Sequence, residues 1–117
     1  MGDGSESDVQ IGPLINADAG RKVQSLLDDA LSRGATLLTG GKAHPLGGNF
    51  FTPTVIGDVQ PGSLLLQEEI FGPMAAWAKF DDEPQVMEQA NTTIYGIAST
   101  FYSNEAASNW RVTETLA

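Results

Sequence analysis

The residue types that could do chemistry in this sequence lie closest together in residues 67–73, which read Gln-Glu-Glu-Ile-Phe-Gly-Pro. We name this stretch the acid–aromatic segment. A carboxylate can accept hydrogen bonds from the vicinal diol of a ribose, and an aromatic ring can cover one face of a flat, partly cationic base such as nicotinamide. A turn at Gly72-Pro73 would fix the direction of both side chains. An equal alternative from the same residues is a helix end that closes on a core phenylalanine.

Three further patterns are weaker candidates for a site. Residues 2–4 begin a partial dinucleotide fingerprint, but no strand is predicted before them. Residues 41–42 are similar to the end of a phosphate-binding loop, yet Ala43 stands where a magnesium-binding hydroxyl is required. Glu68 and Glu69 could be the paired carboxylates of a glycosidase, but adjacent side chains diverge in any regular element. We therefore interpret the first two patterns as loops and the third as a weak candidate.

The composition argues against several classes of function. The chain has 117 residues, enough for one domain or a piece of one. Its formal net charge of -9 makes nucleic acid and anionic membrane surfaces poor partners. Because the chain lacks cysteine, it holds no thiol nucleophile, disulfide or thiolate metal site. His44, the single histidine, is interpreted as a solvent-exposed loop residue, and we expect no metal site.

The first residues and the lengths of the apolar runs predict the cellular location of the protein. Residues 1–8 are acidic and lack the basic end and the apolar stretch of a signal peptide. No apolar run approaches the length of a membrane span, so we predict a cytoplasmic protein. Residues 1–10 are predicted to be a flexible lead-in, with ordered structure beginning at Ile11.

The elements that must position the acid–aromatic segment begin with a helix. Asn16 is predicted as its N-cap and Gly34 as the residue just after its end. Between them, apolar residues recur at helical spacing and form one continuous face. These residues are Val23, Leu26, Leu27, Ala30 and Leu31.

Three stretches are then predicted as strands around the segment. Residues 36–39 form a short strand that ends at two glycines. Residues 51–59 form a second strand, which contains Pro53 and is therefore an edge strand or one half of a hairpin with residues 36–39. Residues 75–80, which include Trp77, form a third strand that is apolar enough to be buried on both faces.

The remaining residues predict a helix, a strand and another helix. Asp82 is the expected cap of the first helix, with Val86, Met87 and Ala90 on its core face. Residues 97–102 are predicted as a strand. Asn104 is expected to cap a last helix that carries Trp110, and both tryptophans are interpreted as core or packing residues. This order of elements is typical of a parallel α/β sheet. The ending at Leu116-Ala117 predicts a segment of a larger fold, the alternative being a complete small α/β protein.

Six motifs occur in sequence along essentially the whole chain. They are Ile11-Gly12-Pro13-Leu14-Ile15, the helix end at Gly34-Ala35, Gly40-Gly41, Phe51-Thr52-Pro53-Thr54-Val55, Glu68-Glu69-Ile70-Phe71-Gly72-Pro73, and Ala90-Asn91-Thr92-Thr93-Ile94-Tyr95-Gly96-Ile97-Ala98. In order and spacing they resemble the NAD(P)-dependent aldehyde dehydrogenase superfamily. The glycine-rich loop at residues 40–51 looks most like that of succinate-semialdehyde dehydrogenases.

The resemblance implies that this chain is part of an aldehyde dehydrogenase catalytic domain. The implied α/β fold has a mostly parallel sheet with flanking helices, an N-terminal helix and an edge hairpin. Within it we expect the lead-in at 1–10, the helix and hairpin at 11–60, and the cofactor-contact motif with the later elements at 61–117.

The same resemblance implies roles for two residues of the acid–aromatic segment. In that family the second acid of the motif binds the nicotinamide ribose and the phenylalanine lies near the nicotinamide. Here those positions are Glu69 and Phe71, and the cofactor is NAD or NADP. The family's catalytic cysteine, general base, oxyanion asparagine and main dinucleotide-binding fold are not found in this chain. No catalytic residue is therefore assigned to it.

Two functional hypotheses follow. In the first, the chain is an inactive fragment of a homo-oligomeric enzyme that oxidises an aldehyde, with succinate semialdehyde as the candidate, to the carboxylic acid. In the second, it is a stand-alone non-catalytic assembly module that pairs a sheet edge with another chain. We do not expect the isolated chain to hold NAD or NADP, because one carboxylate and one ring would act without the phosphate-binding part.

Overall fold

A computed structural model describes residues 1–116, which form two compact units. The N-terminal unit is Met1–Lys79, and the C-terminal unit begins at Phe80. The N-terminal unit contains α1 (Ala17–Ser32), β1 (Thr36–Thr39), β2 (Thr54–Gly57), a 3₁₀ helix (Leu64–Leu66) and β3 (Met74–Ala76). The C-terminal unit contains α2 (Glu83–Asn91) and α3 (Ala106–Thr115). Ala117, part of the predicted chain ending, lies outside the described residues.

Helix α1 begins and ends where its capping residues predict. The Asn16 side chain accepts a hydrogen bond from the backbone N–H of Ala19 at 2.9 Å. At the other end Gly34 takes a φ of +99°, and the backbone N–H of Ala35 returns to the carbonyl of Ala30 at 3.0 Å. The predicted apolar face is buried except for Leu31, which is partly exposed on the flank of the helix. Its buried members are Val23, Leu26, Leu27 and Ala30.

The sheet has the order β1-β2-β3, with β1 antiparallel and β3 parallel to β2. The hairpin alternative for residues 51–59 is therefore correct, and the edge alternative is wrong. Pro53 lies just before β2, so its missing N–H removes no bond from the ladder. The strand is also shorter than predicted. The α/β class, the N-terminal helix and the hairpin are confirmed, although only one of the two strand pairs is parallel.

A single core joins the sheet to α1. The buried face of the helix packs on Ile56 of β2 and on Leu65 of the 3₁₀ helix, with Phe51 and Val59 at either side. Burial of each large aliphatic side chain stabilises a fold by about 1.5–3 kcal/mol. This core is therefore what holds the acid–aromatic segment, which runs from the 3₁₀ helix into β3.

The loop that connects β1 to β2 is closed at its base by the buried Thr54. The Thr54 hydroxyl accepts a hydrogen bond from the N–H of Gly41 at 2.9 Å and donates one to the carbonyl of Thr52 at 2.8 Å. Gly40 has a φ of +76°, and a Cβ there would lie 2.1 Å from the carbonyl oxygen of Pro53. Only glycine satisfies both conditions.

The third strand departs from its prediction. It covers Met74–Ala76 instead of 75–80, and it is not buried on both faces, since Ala75 is exposed and Met74 and Ala76 are only partly buried. Trp77 follows it and is 39% exposed, so the core alternative is wrong and the packing alternative is correct. Its indole lies over Gly57, where a Cβ would come within 2.4 Å of the ring.

The predicted N-cap of α2 is confirmed, but the predicted buried face of this helix is not. The Asp82 carboxylate accepts a hydrogen bond from the N–H of Gln85 at 2.9 Å, and the Gln85 amide oxygen accepts one from the N–H of Asp81 at 2.7 Å. No residue of α2 is buried, and Ala90 is exposed. The predicted core face is wrong because residues 80–116 contain one buried side chain, Val112.

Two further predictions for this unit are wrong. Residues 97–102 form no strand, since no described strand pairs with them. The last helix has Glu105 and not Asn104 at its N-cap position, because the Ser103 hydroxyl accepts the N–H of Glu105 at 3.0 Å and delays the helix start. Trp110 on that helix is 71% exposed and is therefore not a packing residue within this unit.

The first ten residues contain turns and neither helix nor strand. The N–H of Gly2 donates to the carbonyl of Ile11 at 3.1 Å, and that of Glu6 donates to the carbonyl of Asp3 at 3.0 Å. Hydrogen-bonded structure thus begins before Ile11, and the flexibility of the lead-in stays a prediction. Within residues 1–116, no helix combines the length and the apolar character that crossing a membrane would require.

The hairpin turn yields a stability prediction. We expect Gly40→Ala to lower the free energy of unfolding by roughly 3 kcal/mol or more, since it adds both positive-φ strain and a backbone clash. Gly47→Ala is the matched control, because Gly47 has a φ of +73° but open space around its Cβ position. It should cost only about 1 kcal/mol. Urea unfolding of both variants measures the difference, and equal losses would contradict this account.

Candidate functional site

The acid–aromatic segment is attached to α1 at its beginning. The N–H of Leu64, the first residue of the 3₁₀ helix, donates to the Asp29 carboxylate at 2.9 Å. The Arg33 guanidinium donates to the same carboxylate at 2.9 and 3.0 Å. The Leu64 N–H first, and the Arg33 side chain second, hold the pKa of Asp29 below its ordinary value. One carboxylate thus ties the approach to the segment onto the helix.

The segment itself then lies along the helix and ends on the sheet. The Lys22 ammonium lies 3.8 Å from the Glu68 carboxylate, and Ile70 packs against the core. A Cβ at Gly72 would lie 2.5 Å from Cγ2 of Val23, so only glycine allows this approach. At the far end, the carbonyl of Pro73 accepts the N–H of Thr54 at 2.8 Å.

Glu68, Ile70 and Gly72 make these contacts on the side of the segment that faces the helix. The residues between them, Glu69 and Phe71, face solvent. Phe71 is 76% exposed, and Glu69 is exposed as well. Among the described residues, the Glu69 carboxylate makes no hydrogen bond or ion pair. The alternative of a helix end closing on a core phenylalanine is therefore wrong. The residue that reaches the core is Ile70.

The backbone at Phe71 takes a conformation that bulky residues rarely adopt. Its φ is +47°, in the left-handed region, which costs an L-residue about 1–2 kcal/mol. The predicted turn at Gly72-Pro73 is present, and the N–H of Met74 closes it on the carbonyl of Gly72 at 2.8 Å. Proline disfavours the helical region for the residue before it, and Gly72 does not take a positive φ. Strain of this kind persists only where neighbouring contacts fix the chain, and it concentrates at binding sites.

The geometry suits the receipt of a ribosyl-nicotinamide. Glu69 offers two oxygens that accept hydrogen bonds from a diol, and Phe71 offers an uncovered aromatic face two residues away. Both project from a strip of backbone that is fixed at each end. Sequence reasoning identified these two residues but missed their supports, Asp29 and Val23, because only the fold brings α1 beside the segment.

The weaker sequence candidates have structural roles or no site. His44 accepts the N–H of Leu46 on Nδ1 at 3.1 Å, and its ring lies 6.5 Å from that of Phe50, so it organises its own loop. The N–H of Gly41 is used by Thr54 and does not line an anion site. Residues 1–116 contain no group of three His, Asp or Glu side chains placed to hold a metal ion.

Comparison with known sequences gives a consistent result over the full chain. A sequence model of the aldehyde dehydrogenase family matches residues 1–117. A succinate-semialdehyde dehydrogenase [NADP(+)] of Escherichia coli is 46% identical over 116 residues, which are 99% of this chain and 24% of that protein. A glutarate-semialdehyde dehydrogenase of Pseudomonas aeruginosa is 45% identical over the same share of each.

Solved structures match equally well. The crystal structure of an E. coli NADP-dependent enzyme superposes with a TM-score of 0.93 at 46% identity, covering 98% of this chain and 24% of that one. A succinate-semialdehyde dehydrogenase from Burkholderia pseudomallei gives a TM-score of 0.94 at 46% identity, with coverage of 99% and 24%. The chain therefore spans about a quarter of the length of these relatives.

The Asp29 attachment predicts a specific dependence of stability on pH. Because the pKa of Asp29 is lowered in the folded state, the carboxylate stabilises the fold above its ordinary pKa of 3.8. That contribution is lost as the pH falls through the lower folded value. When the pH falls below about 4, the free energy of unfolding should therefore decrease less in Asp29→Asn than in the original chain. Urea unfolding across this range measures it, and an unchanged pH profile would refute the attachment.

The strain at Phe71 predicts the order of two substitutions. Asparagine tolerates the left-handed region better than alanine, and both remove the same exposed ring. We expect Phe71→Asn to be more stable than Phe71→Ala by about 0.5–1 kcal/mol. Trp77 fluorescence during urea unfolding reports on the N-terminal unit, with both variants made in a Trp110→Phe background. An alanine variant as stable as the asparagine variant would show that Phe71 is unstrained.

Proposed function

This chain belongs to the aldehyde dehydrogenase family, and we propose that it is the part of an NAD(P)-dependent aldehyde dehydrogenase that receives the nicotinamide ribose. The observation that carries the proposal is the outward pair of Glu69 and Phe71 on a segment anchored at both ends. Within residues 1–116, neither the Glu69 carboxylate nor the Phe71 ring is part of the buried core. Their types match what the family resemblance implies at these positions.

In the proposed role, Glu69 accepts hydrogen bonds from the ribose diol and Phe71 covers one side of the nicotinamide. When bound, NAD or NADP supplies the hydride acceptor for oxidation of the aldehyde. The protein's contribution here is orientation. Since the segment is fixed by Asp29 at one end and by the Thr54 N–H at the other, the two side chains need little ordering on binding.

We further propose that the parent enzyme acts on a semialdehyde that carries a carboxylate, with succinate semialdehyde as the first candidate. The support is the naming of relatives: the E. coli relative is a succinate-semialdehyde dehydrogenase [NADP(+)], and that of P. aeruginosa is a glutarate-semialdehyde dehydrogenase. The two substrates differ in length by one methylene group. The choice between NAD and NADP is left open.

The chain by itself is proposed to be inactive. The family reaction begins with attack of a cysteine thiolate on the aldehyde carbon, and this sequence contains no cysteine. A bound cofactor alone provides no nucleophile to form the intermediate from which hydride leaves.

The competing hypothesis of a stand-alone assembly module had two motivations, an exposed sheet edge at residues 51–59 and the missing flanking elements. The first is absent, because β2 at Thr54–Gly57 lies in the centre of the sheet. The second is unchanged, so the module stays the alternative proposal. We also propose that the parent is a cytoplasmic homo-oligomer. The relative from Mus musculus is named a mitochondrial succinate-semialdehyde dehydrogenase, so the compartment differs within the family.

The proposed function is tested in a chimera. Residues 1–117 replace the matched segment of the E. coli relative, and reduction of NADP by succinate semialdehyde is measured. We expect an active chimera, in which Glu69→Gln raises the KM for NADP by about tenfold through loss of a charge-assisted hydrogen bond.

The control for this chimera is Glu68→Gln. Glu68 differs from Glu69 by one position but faces Lys22 on the helix. Its substitution should change the KM less than twofold, because it does not contact the cofactor and an exposed ion pair contributes little to the fold that positions Glu69. An equal effect of the two substitutions, or a larger one at Glu68, would overturn the assignment of the ribose contact.

The isolated chain provides a second test. We expect no aldehyde-dependent reduction of NAD or NADP and no saturable heat of binding with either cofactor. Aldehyde oxidation that co-purifies with the chain through further chromatography would refute the inactivity. A saturable titration that Glu69→Gln abolishes would show that the acid–aromatic segment alone holds the cofactor.

A further inference from the structure

The 3₁₀ helix that precedes the acid–aromatic segment is capped by a residue distant in sequence. Ser63 occupies its N-cap position, where a serine hydroxyl usually accepts a backbone N–H of the first turn. Here the Ser63 side chain makes no such bond, and its hydroxyl is buried without a partner among residues 1–116. The N–H of Leu64 donates instead to the Asp29 carboxylate of α1 at 2.9 Å. The start of the 3₁₀ helix is therefore fixed relative to α1.

The Asp29 carboxylate is itself held in one orientation. Nε of Arg33 lies 2.9 and 3.0 Å from its two oxygens, and this bond is charge-assisted. Only 18% of the Asp29 side chain is exposed. Arg33 also reaches the turn before the 3₁₀ helix, since a Cβ at Gly62 would lie 3.9 Å from its Nη1. The last turn of α1 therefore contacts the chain that enters the 3₁₀ helix at two points.

A continuous path of hydrogen bonds leads from this carboxylate to the residue before Glu69. The carbonyl of Leu64 accepts the N–H of Gln67 at 3.0 Å and that of Glu68 at 2.9 Å. Leu64 is thus held by α1 through its N–H and holds the beginning of the acid–aromatic segment through its carbonyl. Because Glu68 directly precedes Glu69, this path determines where the backbone of Glu69 begins.

The backbone of Glu69 has no closer support. Within residues 1–116, the N–H groups of Glu69, Ile70 and Phe71 make no hydrogen bond. The next backbone group with a partner is the carbonyl of Gly72, which is bonded at 2.8 Å to the N–H two residues further on. Three successive residues therefore depend on supports at their two ends. Glu69 lies beside the end that α1 holds, and Phe71 lies beside the other.

We propose that Asp29, oriented by Arg33, is a positioning residue for the Glu69 carboxylate and thereby sets the affinity of the parent enzyme for the nicotinamide ribose. Asp29 acts through Leu64 and Glu68, because its own oxygens are already bonded within the protein. A displacement of about 1 Å in a positioning contact can change binding and rate strongly. The inference rests on the proposed function, in which Glu69 receives the ribose diol, and adds to it a residue of α1.

Hydrogen exchange in the isolated chain tests this path without a cofactor. Asp29→Ala removes the acceptor of the Leu64 N–H. We expect the amides of Leu64, Gln67 and Glu68 to lose at least about tenfold in protection, measured relative to the buried part of α1. Unchanged protection at Gln67 and Glu68 would overturn the proposal, because Asp29 would then not order the approach to Glu69.

The control for the exchange measurement is Asp28→Ala. Asp28 precedes Asp29 on α1, and its carboxylate accepts the side-chain amide of Gln24 on the same helix at 2.9 Å. This variant should leave the three amides unchanged. If Asp29→Ala lowers protection throughout α1 as much as at Glu68, Asp29 only stabilises the fold, and the positioning role is wrong.

The chimera with the E. coli relative tests the effect on the cofactor. We expect Asp29→Ala to raise the KM for NADP about fivefold and the KM for succinate semialdehyde less than about twofold. Partial unfolding would lower the concentration of active enzyme, and hence the apparent kcat, without changing either KM. Asp29→Asn keeps an oxygen that accepts the Leu64 N–H, so it should return the KM for NADP to within about twofold of the unsubstituted chimera.

A double-mutant cycle determines whether Asp29 acts through Glu69. In a Glu69→Gln background no carboxylate remains to be positioned, so Asp29→Ala should raise the KM for NADP by less than about twofold more. A further fivefold rise in that background would show that Asp29 affects the cofactor by another route, which contradicts the proposal.

The same variants separate this inference from the proposed function. If Glu69→Gln raises the KM for NADP and Asp29→Ala does not, the ribose contact stands and the positioning role is overturned. If Glu69→Gln has no effect, the ribose contact itself fails, and with it the role of Asp29 in cofactor binding.

Discussion

The packing of α1 against β2 is the interaction on which the rest of the N-terminal unit depends. Val23, Leu26 and Leu27 exclude water from the same side of the sheet, and Ile56 is buried completely beneath them. Gly72 also lies against Val23 as closely as a glycine can. The distance of α1 from the sheet therefore determines where the acid–aromatic segment lies. The core and the acid–aromatic segment thus share one contact, between Val23 and Gly72. Any change that lifts the helix would displace Glu69 and Phe71 together.

The candidate site is held by its backbone more than by its own side chains. Asp29 fixes the chain before the segment, and the bond between the Thr54 N–H and the Pro73 carbonyl fixes it afterwards. Between these points the chain must cross α1 at a distance that only Gly72 allows, and the left-handed conformation of Phe71 accommodates that path. The strain is small beside the energy of the core, so the fold can maintain it. The result is a carboxylate and a ring directed to solvent without contacts of their own.

The two units differ in how many of their apolar side chains they bury. The N-terminal unit buries a helix face, a strand and a 3₁₀ helix in one cluster. The C-terminal unit has well-formed helix ends, and the bidentate pair of Arg111 with Glu83, at 3.0 and 2.9 Å, joins α3 to the first turn of α2. Such an exposed pair adds little stability. Helix capping is therefore present in both units, whereas only the N-terminal unit buries a cluster of apolar side chains.

The sequence by itself determined what depends on neighbouring residues. Asn16 and Gly34 bound α1, Asp82 caps α2, and the period of Val23, Leu26, Leu27 and Ala30 defines the buried face, because caps and helical periodicity act within a few residues. The motif at residues 68–73 likewise carried the family resemblance and both proposed site residues. Only the tertiary structure decided that β2 is central, that residues 97–102 stay unpaired and that Phe71 is exposed and left-handed. Strand pairing and burial require residues distant in sequence, and for residues 97–102 no such partner is present among those described.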